Sequence, residues 1–134
     1  MLKFVSLIIF AVLSNYGMTQ EIDCAKFKEG RFIYPTIPNS VSAREGNKQK
    51  SYTDGKLEAV WKVVWIDECT YTLTCKKIIK DKFNIKKGDR IYVEIIGTEG
   101  DCMDVNISLL GGNQKKSVQT GRMCLESNSK MEQL

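Results

Sequence analysis

The chain has 134 residues, with 20 lysines and arginines against 16 aspartates and glutamates, and its net charge is +4. It contains five cysteines and no histidine, which excludes catalysis by Ser–His or Cys–His pairs. The length fits one domain with one modest core, and the mixture of acidic residues with the lysines does not indicate a nucleic-acid-binding surface.

The first 20 residues, MLKFVSLIIFAVLSNYGMTQ, predict a secretory signal peptide. Lys3 supplies a positive start, and the apolar run from Phe4 to Leu13 is about ten residues long, too short to span a bilayer. A buried N-terminal helix is the alternative, but such a helix would normally show a polar face, which this run lacks. We therefore expect a secreted or periplasmic mature protein, residues 21–134, that forms a single β domain without a stable membrane anchor.

Strand signals separated by turns begin soon after this segment. Residues 30–36 predict a first strand, ended by Pro35 and Pro38, which cannot donate backbone hydrogen bonds to a sheet. Residues 39–55 are polar, and they predict an exposed hairpin with a turn at residues 45–47 and a second turn at Asp54-Gly55.

The clearest alternation follows in residues 57–76. One face of a predicted strand carries Leu57, Ala59, Trp61, Val63 and Trp65. After an acidic turn at Asp67-Glu68, one face of the next strand carries Cys69, Tyr71, Leu73 and Cys75. These two segments predict a β-hairpin.

The second half of the chain continues in the same way. Residues 81–89 predict a linker or a single helical turn that ends at Gly88, and three further strands are predicted at 91–96, 103–109 and 117–126. We expect residues 127–134 to be a frayed tail. The predicted fold is all-β: an antiparallel meander of about seven strands, forming a closed or half-open barrel.

The five cysteines have several ways to pair in an oxidising compartment. Cys69 and Cys75 would lie about 20 Å apart on one strand, too far for a disulfide. Two bridges can form in fifteen ways. We favour Cys24–Cys69, which ties the segment before the first strand to the acidic turn, and Cys102–Cys124 as the second bridge, leaving one thiol free.

No enzyme active site is predicted. Without histidine or close C-x-x-C pairs, neither a metal site nor thioredoxin-type redox chemistry is indicated, and no cofactor is expected. Asp67 and Glu68 are adjacent but have the character of turn residues, and Asp101 and Asp104 flank another turn. We predict no catalytic residue.

The aromatic residues suggest binding instead. Trp61, Trp65 and Tyr71 lie on one face of adjacent strands, where they are candidate ligand-lining residues. Packing as the core of a small barrel is the simpler interpretation. Three other tyrosines are expected at the surface as candidate protein contacts: Tyr34, Tyr52 and Tyr92.

Three segments resemble a family of small exported bacterial proteins of unknown function. They are CAKFKEGRF (residues 24–32), Arg44-Glu45-Gly46-Asn47, and WIDECTYTL (residues 65–73), and the resemblance covers roughly residues 24–96. It implies a β-meander, lipocalin-like in form, with the cysteines at positions 24 and 69 shared. Members of that family are sometimes labelled as DNA topoisomerase IV, a function for which this chain is too short and lacks a nucleotide-binding glycine loop.

We therefore expect a non-catalytic secreted or periplasmic module that binds a small apolar ligand or a protein partner. The alternative is an enzyme inhibitor or assembly factor that acts through a loop, with residues 39–55 as the candidate. A cavity between Trp61, Trp65 and the face formed by Val105, Ile107 and Leu109 would favour the first hypothesis.

Overall fold

A computed structural model describes residues 22–80, 84–111 and 114–126. The predicted signal peptide and the predicted frayed tail lie outside these residues, as do residues 81–83 of the predicted linker. The described residues 84–89 contain no helix.

The described residues form one eight-stranded antiparallel barrel, preceded by a short 3-10 helix at Ala25–Phe27. The strands are β1 (Gly30–Tyr34), β2 (Ile37–Glu45), β3 (Lys48–Thr53), β4 (Lys56–Asp67), β5 (Thr70–Ile78), β6 (Arg90–Glu99), β7 (Cys102–Gly111) and β8 (Gln114–Leu125). Each strand pairs with the next, and β8 returns to pair with β1. The prediction of an all-β meander is confirmed, with eight strands in a closed barrel.

The turns form where the sequence requires special backbone angles. Asp54 and Gly55 both have positive φ, 50° and 75°, as a two-residue turn between twisted strands requires. Pro38 lies in the part of β2 between Ile37 and Val41, where the pairing with β1 shifts register. The absent proline N–H therefore interrupts no regular ladder there.

The barrel has two different ends. At one end, called the base, the 3-10 helix covers the interior, and the side chains of Phe27 and Phe32 are fully buried. The turns that connect β2 to β3, β4 to β5 and β6 to β7 lie at this end. The other end, called the mouth, carries the β1–β2 and β3–β4 turns and the segment between β5 and β6.

The prediction of an exposed hairpin at residues 39–55 is wrong in its burial. Its turn at residues 45–47 is confirmed, but β2 and β3 are part of the barrel wall, and Ser42, Arg44 and Gln49 are buried. The alternation of side chains along a strand is the same whether the second face meets water or a polar interior. Composition alone therefore suggested exposure.

Candidate ligand-binding cavity

The barrel interior contains a cavity of about 290 Å³ between the base and the mouth. This volume is close to the lower limit of about 300 Å³ for small-molecule pockets. At about 30 Å³ per water in the liquid, it has room for about ten non-hydrogen atoms. Strands β2 to β6 each contribute two or more lining residues, and β1, β7 and β8 contribute one each: Tyr34, Ile107 and Met123.

One side of the cavity is apolar. Inward-facing residues of β4, β5 and β6, with Ile85 from the segment between β5 and β6, form most of this side: Ala59, Trp61, Leu73, Ile78, Ile85, Ile91 and Val93. Ala59 and Val93 are each 3% exposed, so they face the interior. This wall can bind hydrocarbon by removing it from water.

Most polar groups of the lining lie on the opposite side, beside the apolar Ile37 and Val41. The residues that supply this side come from β1, β2 and β3: Tyr34, Ser40, Ser42, Gln49, Ser51 and Thr53. Tyr34 and Ser42 hydrogen-bond to each other through their hydroxyl groups, and Trp61 Nε1 donates to Ser51 Oγ at 3.1 Å. Burial raises the pKa of Tyr34, although its hydrogen bond with Ser42 opposes this rise. These contacts give the cavity an amphipathic lining.

A buried arginine lies at the base of the cavity. Arg44 is only 2% exposed, and its guanidinium donates to two residues that line the cavity. Its Nε and Nη2 both donate to Gln49 Oε1, at 2.9 and 2.8 Å, and Nη2 also donates to Tyr71 Oη at 2.8 Å. Its Nη1 donates to the Phe27 carbonyl oxygen at 2.8 Å. Arg44 thereby joins the 3-10 helix to the cavity wall.

Aromatic rings surround the Arg44 guanidinium. Its Cζ lies 4.3 Å from the ring centroid of Tyr71, 4.9 Å from that of Phe32 and 5.6 Å from that of Trp65. Within the part of the chain that the structure describes, no carboxylate forms an ion pair with Arg44. Neutral acceptors and ring faces therefore offset the cost of burying its charge.

Burial also raises the pKa of Tyr71, while the nearby charge of Arg44 and its hydrogen bond oppose this rise. The Tyr71 hydroxyl is therefore neutral at physiological pH. Its oxygen accepts from Arg44, which leaves its hydrogen available to another acceptor.

The structure separates the three candidate ligand-lining residues. Trp61 and Tyr71 line the cavity, and so does Ile107 of β7. Trp65 does not line it; its ring packs against that of Tyr71 at 4.6 Å between centroids, on the side of the base. Val105 is fully buried in the core outside the lining, and Leu109 is also outside it.

Sequence reasoning missed Arg44 and Gln49, and it misplaced two tyrosines. Tyr34 and Tyr52, expected at the surface, both line the cavity. Arg44 lies two residues from Ser42, so both side chains are on the same face of the strand. That face carries polar residues only, so its inward direction was not visible in the sequence. Hydropathy alternation alone does not identify such a face.

The structure contains the two disulfides that the sequence analysis favoured. Cys24–Cys69 joins the start of the 3-10 helix to the turn between β4 and β5, and Cys102–Cys124 joins β7 to β8. Cys75 is the remaining free thiol, and it is fully buried. The first bridge holds the helix that covers the base of the cavity.

The described ranges contain no cluster of three or more cysteine, aspartate or glutamate side chains able to hold a metal ion. They also contain no helix with the length and apolar character needed to cross a bilayer.

Comparison with protein-family models gave no match, and searches of curated proteins and of solved structures gave no significant match either.

Proposed function

We propose that the protein is a non-catalytic binding module, secreted or periplasmic, that holds a small apolar ligand inside its barrel in the manner of lipocalin-like proteins. The observation that carries this proposal is the cavity of about 290 Å³ with a continuous apolar wall. Concave, mostly apolar sites with a few convergent polar groups are the usual form of small-molecule sites.

Two other observations support the proposal. Two intramolecular disulfides favour an oxidising compartment, in agreement with the predicted export. The resemblance to exported bacterial proteins implies the same location and a lipocalin-like barrel. The loop-mediated inhibitor is less favoured, because residues 39–55 lie mainly in two paired strands.

Filling the cavity tests the proposal. We would titrate the mature protein with 1-octanol, which has about nine non-hydrogen atoms and so fits the volume, and follow tryptophan fluorescence and binding heat. Ala59→Phe places a ring in the cavity, and Val64→Phe places the same ring outside, because Val64 lies on β4 and is 46% exposed.

The proposal predicts saturable binding that Ala59→Phe weakens at least tenfold and that Val64→Phe leaves unchanged. Circular dichroism and melting temperature confirm that both variants fold. Equal binding by the wild type and a folded Ala59→Phe variant would show that octanol binds elsewhere, and failure of 1-octanol and of its eight-carbon acid and amine analogues to bind would refute the proposed function.

A further inference from the structure

We propose that the base of the cavity recognises a carboxylate, so that the ligand is a short amphiphilic monocarboxylate with its head at Gln49 and Tyr71 and its tail toward the mouth. This inference rests on the proposed function and adds to it the chemical class and the orientation of the ligand.

The orientation of the Gln49 amide is the first support. Arg44 donates twice to Oε1, so Nε2, on the other side of the same amide, points away from the guanidinium. Gln49 Nε2 has no hydrogen-bond partner among the described residues. Every fully buried polar side-chain atom of those residues does have a partner, so Nε2 is not fully buried. Nε2 is therefore accessible, and because Gln49 lines the cavity and is 3% exposed, the accessible space is the cavity.

The Tyr71 hydroxyl supplies a second donor. Its oxygen accepts from Arg44 Nη2 at 2.8 Å, and no residue within the described ranges accepts its hydrogen. A hydroxyl that accepts a hydrogen bond from a cation becomes a stronger donor itself, because consecutive hydrogen bonds polarise one another. Gln49 and Tyr71 together present donors and no free acceptor of comparable strength at the base.

The charge of Arg44 is the third support. The guanidinium lies directly behind Gln49 and Tyr71 and has no carboxylate partner within the described residues. Its field at the base is positive and weakly screened, since the site is buried. A carboxylate there meets both the donors and the opposite charge that a buried anion requires.

The rest of the lining sets the direction of the tail. The two charged side chains that line the cavity, Glu58 and Lys80, belong to the mouth. Between mouth and base, the apolar wall includes Leu73, Ile91 and Ile107. A chain of about eight carbons fits the volume when its carboxylate reaches the base.

The test compares three ligands of equal chain length: octanoate, 1-octanol and octylamine. Binding is measured by calorimetry at pH 7 for the wild type and two variants. Gln49→Glu replaces the Nε2 donors with a carboxylate oxygen. The new carboxylate still accepts from Arg44, so the hydrogen bonds between positions 44 and 49 are kept. Asn106→Asp makes the same charge change at a partly exposed position on the outer face of β7, and serves as the matched control.

The inference predicts that the wild type and Asn106→Asp bind octanoate at least tenfold more tightly than octylamine. In Gln49→Glu, octanoate affinity should fall at least tenfold while 1-octanol affinity changes less than twofold, since hydrogen bonds to an ion are strong. The inference is wrong and the proposed function survives if 1-octanol binds but octanoate binds no more tightly than octylamine. The same holds if Gln49→Glu still binds octanoate more tightly than octylamine to the same degree. If none of the three binds, both are wrong.

Discussion

At the scale of single residues, Arg44 determines how the barrel closes at its base. It is a charged side chain with almost no exposure, and it holds the 3-10 helix, β3 and β5 through Phe27, Gln49 and Tyr71. Removing it leaves three buried acceptors without their donor, and each such loss costs about 1–3 kcal/mol.

Arg44→Met tests this role. The substitution keeps an unbranched side chain but no donor, and we expect the free energy of unfolding to fall by about 3 kcal/mol in urea titrations. Arg31→Met is the control, because Arg31 is largely exposed and its ion pair with Glu126 contributes about 1 kcal/mol or less. Equal losses in the two variants would contradict the central position given to Arg44.

Three buried titratable groups predict a loss of stability at alkaline pH. Burial raises the pKa of Cys75 above its ordinary value of 9.0, and it raises the pKa values of Tyr34 and Tyr71 above 10.0. The unfolded chain therefore releases these protons at lower pH than the folded chain. Their contribution is fully present below the ordinary pKa values and is lost as pH rises toward the folded values.

Urea titrations between pH 7 and pH 11 measure this effect. We expect level stability to about pH 8.5 and a decline above it, starting with the thiol. In Cys75→Ala the decline should begin nearer pH 10, when the tyrosines of the unfolded chain ionise. Stability that rises between pH 9 and pH 11 would contradict the assigned directions.

At the scale of elements, the contact between β1 and β8 closes the barrel. The two strands share two registered pairs, Phe32 with Leu125 and Ile33 with Cys124. Gly30, at the start of β1, has a φ of 133°, and a Cβ added there would lie 2.7 Å from Leu125 Cδ2. Glycine adopts this φ without strain, whereas a residue with a Cβ would be strained there and would also displace the end of the Leu125 side chain.

Gly30→Ala should therefore destabilise the protein by about 1–3 kcal/mol, measured as a lower midpoint in urea and a lower melting temperature. Gly97→Ala is the matched control in β6, because Gly97 has no positive φ and its nearest neighbour to an added Cβ, Asp104 Oδ2, lies at 3.8 Å. A Gly30→Ala variant as stable as Gly97→Ala would contradict the strained backbone assigned to Gly30.

Some strands and turns of the barrel could be predicted from the sequence, and others could not. Alternating apolar residues predicted β4 and β5, and the glycine and aspartate turns predicted most of the hairpins. The pairing of β1 with β8 could not be read from either segment of the sequence, because it depends on how all the strands curve together. The burial of β2 and β3 was missed because serine and glutamine facing a cavity have the same pattern as serine and glutamine facing water.

At the scale of the whole molecule, the barrel surrounds a cavity whose two sides differ in polarity. The apolar side favours hydrocarbon, while the polar side and the base place donors and one buried cation at the closed end. Filling the interior with apolar side chains would have given a conventional core. We therefore attribute the retained polar groups to the proposed binding function.

The most direct test of this account is methyl NMR of the protein during titration with octanoate. We predict saturable shifts of the inward methyl groups of Ile91 and Ile107, which line the cavity, with little change at Val64 and Ile66, which are exposed on β4. Shifts confined to the exposed methyl groups, or no saturable shift of the cavity-lining ones, would contradict the claim that the barrel encloses the ligand.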